Sequence, residues 1–439
     1  MALVTTFATT PITAALYPPW YQRKLEAWKR GEIDWDTGAP LSDDGSDAAT
    51  DDVTKQKLES SKISSLLIYL RLDNMPTTLA FVSLLSGKPN ESAMKRHPGH
   101  NQQESESVQS ETRKPIEVHG VRLVELTERG STVMKVSEMD EYSAFDPVLN
   151  AFRVLGQIYN LMVSGEVSII PQSSYAETLV TRASDESSDL LLLPWSETGS
   201  MSEEQTISRD SVQHKLASDS YVSFVSKALN SAPCNAAVFI NKGFSGTLKQ
   251  RQSPLNRRLS TVSLRSSARE NVASIRTDRS HHIFMPFFGG ADGRVALRLL
   301  LQLAENPEIT ATVIYYPSSA AETQTVTTKE GPNQLSLQHS SEDDGAFFAT
   351  IQRSMPSGLE TRVVLDSTAS PTPASDAIAK AQSEIGQNPK NGGDIIIVAR
   401  NVTRNDANAS CLGTFANTVL DANLRASLLV VQGRSSSAE

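Results

Sequence analysis

A strand-then-helix alternation runs through most of the chain, and it runs twice. Short apolar runs bounded by turn residues, the signature of buried strands, fall at 63–70 (ISSLLIYL), 121–126, 167–170, 190–193 and 236–240. Amphipathic stretches between them predict helices at 75–85, about 144–163, from Tyr175, and about 219–230. The second series repeats the order. Strands are predicted at 282–288, 311–316, 361–365, 394–399 and 427–431, and helices at 293–304, about 345–355, 374–385 and 412–423. A strand that feeds a helix and returns to the next strand builds a parallel sheet covered on both faces. The predicted fold class is therefore α/β, with two tandem five-stranded parallel sheets of Rossmann type. Each half is long enough to bury its own core.

Composition explains what lies between the elements. The chain has 439 residues, only 39% of them hydrophobic, below the usual fraction for a globular protein. The deficit sits in polar inserts at 37–60, 88–115, 198–218 and 247–280. The predicted organisation is an N-terminal segment 1–36, an acidic linker 37–60, a first domain 61–243, a basic linker 244–280 and a second domain 281–433. The net charge of −9 hides two opposite tracts: eight acids and no Lys or Arg in 31–54, and eight Lys/Arg against two acids in 247–280. An acidic total argues against general nucleic-acid binding. Two cysteines, Cys234 and Cys411, exclude a disulfide scaffold and a cysteine-based zinc cluster, and read as small buried residues. No uncharged apolar run reaches the length of about 18 residues that a membrane helix needs.

The N-terminal segment has its own character. Residues 2–17 carry no charge, and then Trp20, Trp28 and Trp35 stand among Arg23, Lys24, Lys29 and Arg30. Aromatic rings mixed with basic side chains suit a lipid headgroup layer just past a membrane helix. An amphipathic helix packed on the protein's own core suits the same pattern.

With these residues in view, a resemblance becomes specific. The opening TTPITAALYPPWYQRKLEAWKRGEIDWD resembles the exit from the last membrane helix of fungal potassium/proton antiporters, in the monovalent cation:proton antiporter-2 family related to plant cation/proton exchangers. The run FMPFFGGADGRVALRLLLQLAENP at 284–307 resembles the start of that family's second cytosolic subdomain. The two repeats are also similar to universal stress protein domains, five-stranded parallel sheets that often hold ATP or AMP. The resemblance implies a regulatory cytosolic tail that is not an enzyme, with no catalytic residue and no metal. It lies at the cytosolic face of a membrane, with an intracellular organelle expected, and is soluble as this fragment. Implied partners are the membrane transport domain of the same polypeptide and a second copy in a homodimer, with adenine nucleotide, a protein kinase and anionic lipid as further inputs. The transport residues would lie outside this sequence.

Candidate site residues follow from the same motifs. Between a strand and a helix stands Phe287-Phe288-Gly289-Gly290-Ala291-Asp292-Gly293-Arg294, a turn whose open backbone N–H groups can hold a phosphate, with Asp292 able to cap the helix. It fits neither the dinucleotide G-x-G-x-x-G pattern nor the P-loop. In the stress protein pattern, Gly-x2-Gly-x9-Gly-Ser/Thr, Gly413 and Thr414 match the final pair, while Arg400 and Thr403 stand where the two glycines belong. The resemblance thus implies a nucleotide site, for AMP or ATP, at Gly289, Gly290, Asp292, Arg294, Arg400, Gly413 and Thr414. Arg400 has three possible fates: pairing with a phosphate, bridging to Asp292, or facing solvent. Arg257-Arg258-Leu259-Ser260 resembles a basophilic-kinase site, with Ser260 as acceptor. His281 and His282, adjacent on a strand, point to opposite faces and make a poor shared metal site. The leading reading is a regulatory domain controlling monovalent cation/proton exchange; the alternative is a free-standing nucleotide-binding protein of stress type.

Overall fold

The computed structural model describes residues 62–86, 116–126, 143–196, 199–201, 218–244, 280–317, 334–387, 393–401 and 410–434. The N-terminal segment, Thr403, the acidic linker, residues 245–279 of the basic linker and Ser260 with them lie outside these residues. The described residues all fall in one compact unit.

The predicted alternation is present in both halves. The first half contains β1 (Ser65–Leu70), α1 (Met75–Ser86), β2 (Glu117–Glu125), α2 (Pro147–Ile158), β3 (Met162–Ile170), α3 (Tyr175–Asp185), β4 (Leu190–Pro194), α4 (Asp219–Ser231) and β5 (Asn235–Ile240). The second contains β6 (His281–Phe287), α5 (Gly290–Ala304), β7 (Ile309–Tyr315), α6 (Gln334–Arg353), the one-turn α7 (Ser357–Glu360), β8 (Val363–Ser367), α8 (Pro373–Glu384), β9 (Asp394–Ala399), α9 (Thr414–Asp421) and β10 (Ala426–Gln432). Strand positions agree with the sequence within a few residues. The largest difference is β3, which starts at Met162, inside the stretch expected to be helical. Its first residues alternate exposed and half-buried at a sheet edge, so they lack the apolar run that marks β4.

Within each half every strand pair is parallel, in the orders β3-β2-β1-β4-β5 and β8-β7-β6-β9-β10. The halves are not two separate sheets. β10 pairs antiparallel with β5, Leu428 opposite Ile240 and Val430 opposite Val238, giving one sheet of ten strands. The last strand of each half is thus the seam. Because a parallel strand alternates its side chains between faces, each face collects its own core. One core includes Leu66, Ile68, Phe239, Met285, Ile397 and Leu429 with residues from α1, α2, α5 and α6. The other includes Leu67, Leu193, Val238, Phe284, Ile396 and Val430 with residues from α3, α4, α8 and α9. Both cores run unbroken from one half into the other. At the seam Phe81 of α1 stacks on Phe239 at 4.9 Å between ring centres, and Phe244 meets the Phe239 ring edge-on at 5.6 Å.

This topology fixes where a site can form. In a sheet of this order the crevice opens at the carboxyl ends of the two strands where the connections reverse direction. Those pairs are β1–β4 and β6–β9. Antiparallel joining at the seam sets each crevice beside the strand starts of the opposite half.

Candidate functional site: two strand-end crevices

The second crevice contains most of the residues that the sequence nominated. Gly289 and Gly290 have φ of +84° and +82°, and α5 begins at Gly290, three residues earlier than expected. That early start puts Asp292 inside the first turn rather than at the cap. Its side chain instead ties down two strand ends: Oδ2 accepts the Asn401 N–H at 3.0 Å and Oδ1 the Gly433 N–H at 2.8 Å. Burial raises the Asp292 carboxyl above its ordinary pKa, opposed by these two N–H groups and by Arg400.

Arg400 does not face solvent, and its hydrogen bonds go elsewhere than to Asp292. It is buried, donates from Nε to the Cys411 carbonyl at 2.8 Å and from Nη1 to Gln432 Oε1 at 2.5 Å, and reaches across the seam to Asn230 Oδ1 at 3.0 Å. Burial lowers its pKa, with Cys411 and Asp292 acting the other way. Gly413, at φ +90°, lies so close to Arg400 that a Cβ there would stand 2.2 Å from the Arg400 carbonyl oxygen. The glycine is therefore explained by backbone approach. Thr414 is exposed at the start of α9.

The position at the α5 N-terminus where a phosphate would lie is taken by the chain itself. Asp344 of α6 accepts the Gly290 N–H at 2.7 Å through Oδ2, and its Oδ1 accepts Arg294 Nε at 2.5 Å. A carboxylate on a helix N-terminus satisfies an orphan N–H group and the helix dipole together. A Cβ on Gly289 would fall 2.4 Å from the Asp344 carboxylate, so the glycine also makes room for this plug. Asp344 was missed in the sequence; its only signal is membership of the acidic run Glu342-Asp343-Asp344-Gly345.

The first crevice has no such glycines and is filled by a cation. Arg71, directly after β1, is fully buried. It pairs with Asp73 through Nε and Nη2 at 3.0 and 3.2 Å, and donates to Ser196 Oγ at 3.1 Å and the Met201 carbonyl at 3.3 Å. Its guanidinium also lies 5.3 Å from the centre of the Tyr221 ring. Burial pulls its pKa down, but Tyr221, Tyr69 and Asp73 outweigh that and hold it above the ordinary arginine value. Asn74 donates to the Trp195 carbonyl at 3.1 Å, and Tyr221 donates to the Pro194 carbonyl at 2.6 Å. The clue in the sequence was a charged Arg71-Leu72-Asp73-Asn74 directly after an apolar strand.

The remaining candidates are placed as follows. His281 is buried with Nδ1 2.7 Å from the Gly393 carbonyl, and the less buried His282 has Nδ1 2.9 Å from Thr310 Oγ1. Cys234 and Cys411 are buried free thiols, both pushed up to about 11 by burial.

Comparison with known proteins adds the family context. Residues 118–244 match the plant cation/H(+) antiporter domain. That span runs from β2 to just past β5. Over 350 residues the chain is 22% identical to Cation/H(+) antiporter 17 of Arabidopsis thaliana, covering 76% of this chain and 34% of that protein. Cation/H(+) antiporter 19 of the same plant is 21% identical over 71% of this chain and 30% of its own length. Cation/H(+) symporter 13 is 25% identical over 47% of this chain and 22% of its length. The chain thus spans about a third or less of these relatives. Among solved structures, a universal stress protein from Archaeoglobus fulgidus is 11% identical, with a TM-score of 0.38 over 85% of this chain and 97% of that one. A putative universal stress protein from Pseudomonas aeruginosa gives 12% and 0.38, over 85% and 94%. The architecture stated above rests on strand order and packing in this chain. Among the described residues, no helix is long and apolar enough to cross a membrane.

Proposed function

We propose that this chain is the regulatory cytosolic domain of a potassium/proton antiporter, controlling monovalent cation/proton exchange. The observation that carries the reading is similarity to curated cation/proton antiporters across 76% of the chain, which spans both halves. The parent protein sits at an intracellular membrane as a homodimer, with residues 17–36 leading from the membrane to the domain. The continuous sheet supports a coupling role, since strain at one crevice reaches the other half through packed strands. An input shifts transport only through different affinity for the transporter's two states. Two inputs fit the chain. Phosphorylation of Ser260 would place negative charge in the basic tract. Adenine nucleotide at the second crevice would have to displace the Asp344 carboxylate from Gly290 and Arg294.

The test is cation/proton exchange in vesicles bearing the transporter with and without residues 62–434. A changed dependence on pH, nucleotide or phosphorylation supports the reading, and identical behaviour removes it. A second reading, a free-standing nucleotide-binding module, is favoured by the glycine-lined turn at Gly289–Gly290. It requires saturable AMP or ATP binding with no effect on any transporter.

A further inference from the structure

A separate cleft lies on the seam, at the ends of the strands opposite the first crevice. One wall is built from first-half strand starts, Lys62, Ile63, Asp189 and Asn235, and the other from the α5 face bearing Arg298 and Gln302. This part encloses about 210 Å³. A second cavity of about 360 Å³ adjoins it, sharing Asp189 and Asn235 and adding Ser188, Cys234 and Arg434. Gln302 fixes the geometry, accepting the Ile63 N–H at 2.9 Å and donating to the Ile63 carbonyl at 2.8 Å. Arg434 is held over the second cavity by its backbone N–H, which donates to Asn235 Oδ1 at 3.0 Å.

Three polar groups here are left over by the fold. Arg298 is half-buried and, among the described residues, has no carboxylate partner; its guanidinium rests 5.5 Å from the Phe347 ring centre. Burial and the neighbouring Arg294 both lower its pKa, the behaviour of a cation in want of an anion. Ser188 is only 5% exposed, and its hydroxyl has no hydrogen-bond partner among the described residues. Buried polar atoms of this kind ask for a ligand or water. Asp189 uses Oδ2 for three donors, Ser64 N, Ser64 Oγ and Ser65 N, and its Oδ1 receives none among the described residues. Lys62 stands at the mouth, 3.1 Å from Glu305. A guanidinium and an ammonium at one end suit a phosphate, and a carboxylate oxygen and a serine hydroxyl at the other suit sugar hydroxyls.

We propose that the seam cleft binds a small phosphorylated sugar, its phosphate on Arg298 and Lys62 and its hydroxyls on Asp189 Oδ1 and Ser188. The site involves neither strand-end crevice and does not depend on the antiport reading. Because its walls come from both halves, an occupant would brace the seam. Isothermal titration of the full chain with ribose 5-phosphate, and separately with inorganic phosphate, tests it. The expected result is saturable binding, tighter for the sugar phosphate. Arg298→Gln weakens both probes at least tenfold, and Ser188→Ala weakens only ribose 5-phosphate, by several-fold. Arg298→Gln also abolishes the rise in Tm that ribose 5-phosphate produces in the native chain. Absence of saturable binding at millimolar ribose 5-phosphate overturns the proposal, as does equal affinity in the native chain and both variants.

Discussion

The two crevices occupy the same place in the same fold and are closed by opposite charges. In the first half a buried arginine, Arg71, is fixed by Asp73 two residues along the chain. In the second a carboxylate, Asp344, comes from a helix 50 residues downstream of its partner Arg294. Strand order decides where a crevice forms; the residues after the first strand decide what fills it. Where those residues are Gly289 and Gly290, bare N–H groups invite an anion. Where they are Arg71 and Leu72, the space is taken by a cation and its ring neighbours. Arg71 is wholly enclosed, whereas Arg294 is 32% exposed. The first closure is therefore sealed from solvent, whereas the arginine of the second stays partly open to it.

Substitutions put this contrast to the test. Asp73→Ala should have the largest effect, because it leaves a fully buried guanidinium without its carboxylate, a loss of roughly 3–5 kcal/mol readable by urea denaturation. Gly413→Ala comes next. It forces a Cβ against the Arg400 carbonyl at a positive φ, and about 1–3 kcal/mol of strain is expected in the same assay. Asp344→Asn should be milder, about 1 kcal/mol, since Arg294 can turn to water and an amide oxygen can still accept the Gly290 N–H. If Asp344→Asn proved as damaging as Asp73→Ala, the distinction between the closures would fail.

The smallest effect concerns pH. Because the folded protein holds Asp292 above its ordinary pKa, its contribution favours the fold below the unfolded pKa and fades as pH rises through the folded one. Asp292→Asn should therefore flatten the stability profile across the carboxylate range. An unchanged profile would show that the two N–H donors cancel the burial.

How much of this was legible in the sequence depended on the range of the interaction. Strands such as β4 (LLLLP) and β9 (DIIIVA) announce themselves because both faces are covered and every residue but Asp394 is apolar. The turn Gly289–Arg294 was found for a local reason, glycine between a strand and a helix. The roles within it were not. Asp292 was expected to cap α5, but it joins β9 and β10, partners more than 100 residues away. Arg400 had no local feature pointing to Asn230, which lies in the other half. The merging of two sheets into one was equally hidden, since β5 and β10 read as ordinary buried strands and nothing in either specifies an antiparallel neighbour.

The regulation proposed for this chain requires two halves that move and unfold as one, and the shared sheet is what would make them do so. Hydrogen exchange by mass spectrometry across a urea series tests it directly, comparing peptides from β4–β5 with peptides from β9–β10. Shared cores predict one opening free energy, and one urea dependence, for both sets. Two distinct values, with one half exchanging while the other stays protected, would contradict the account.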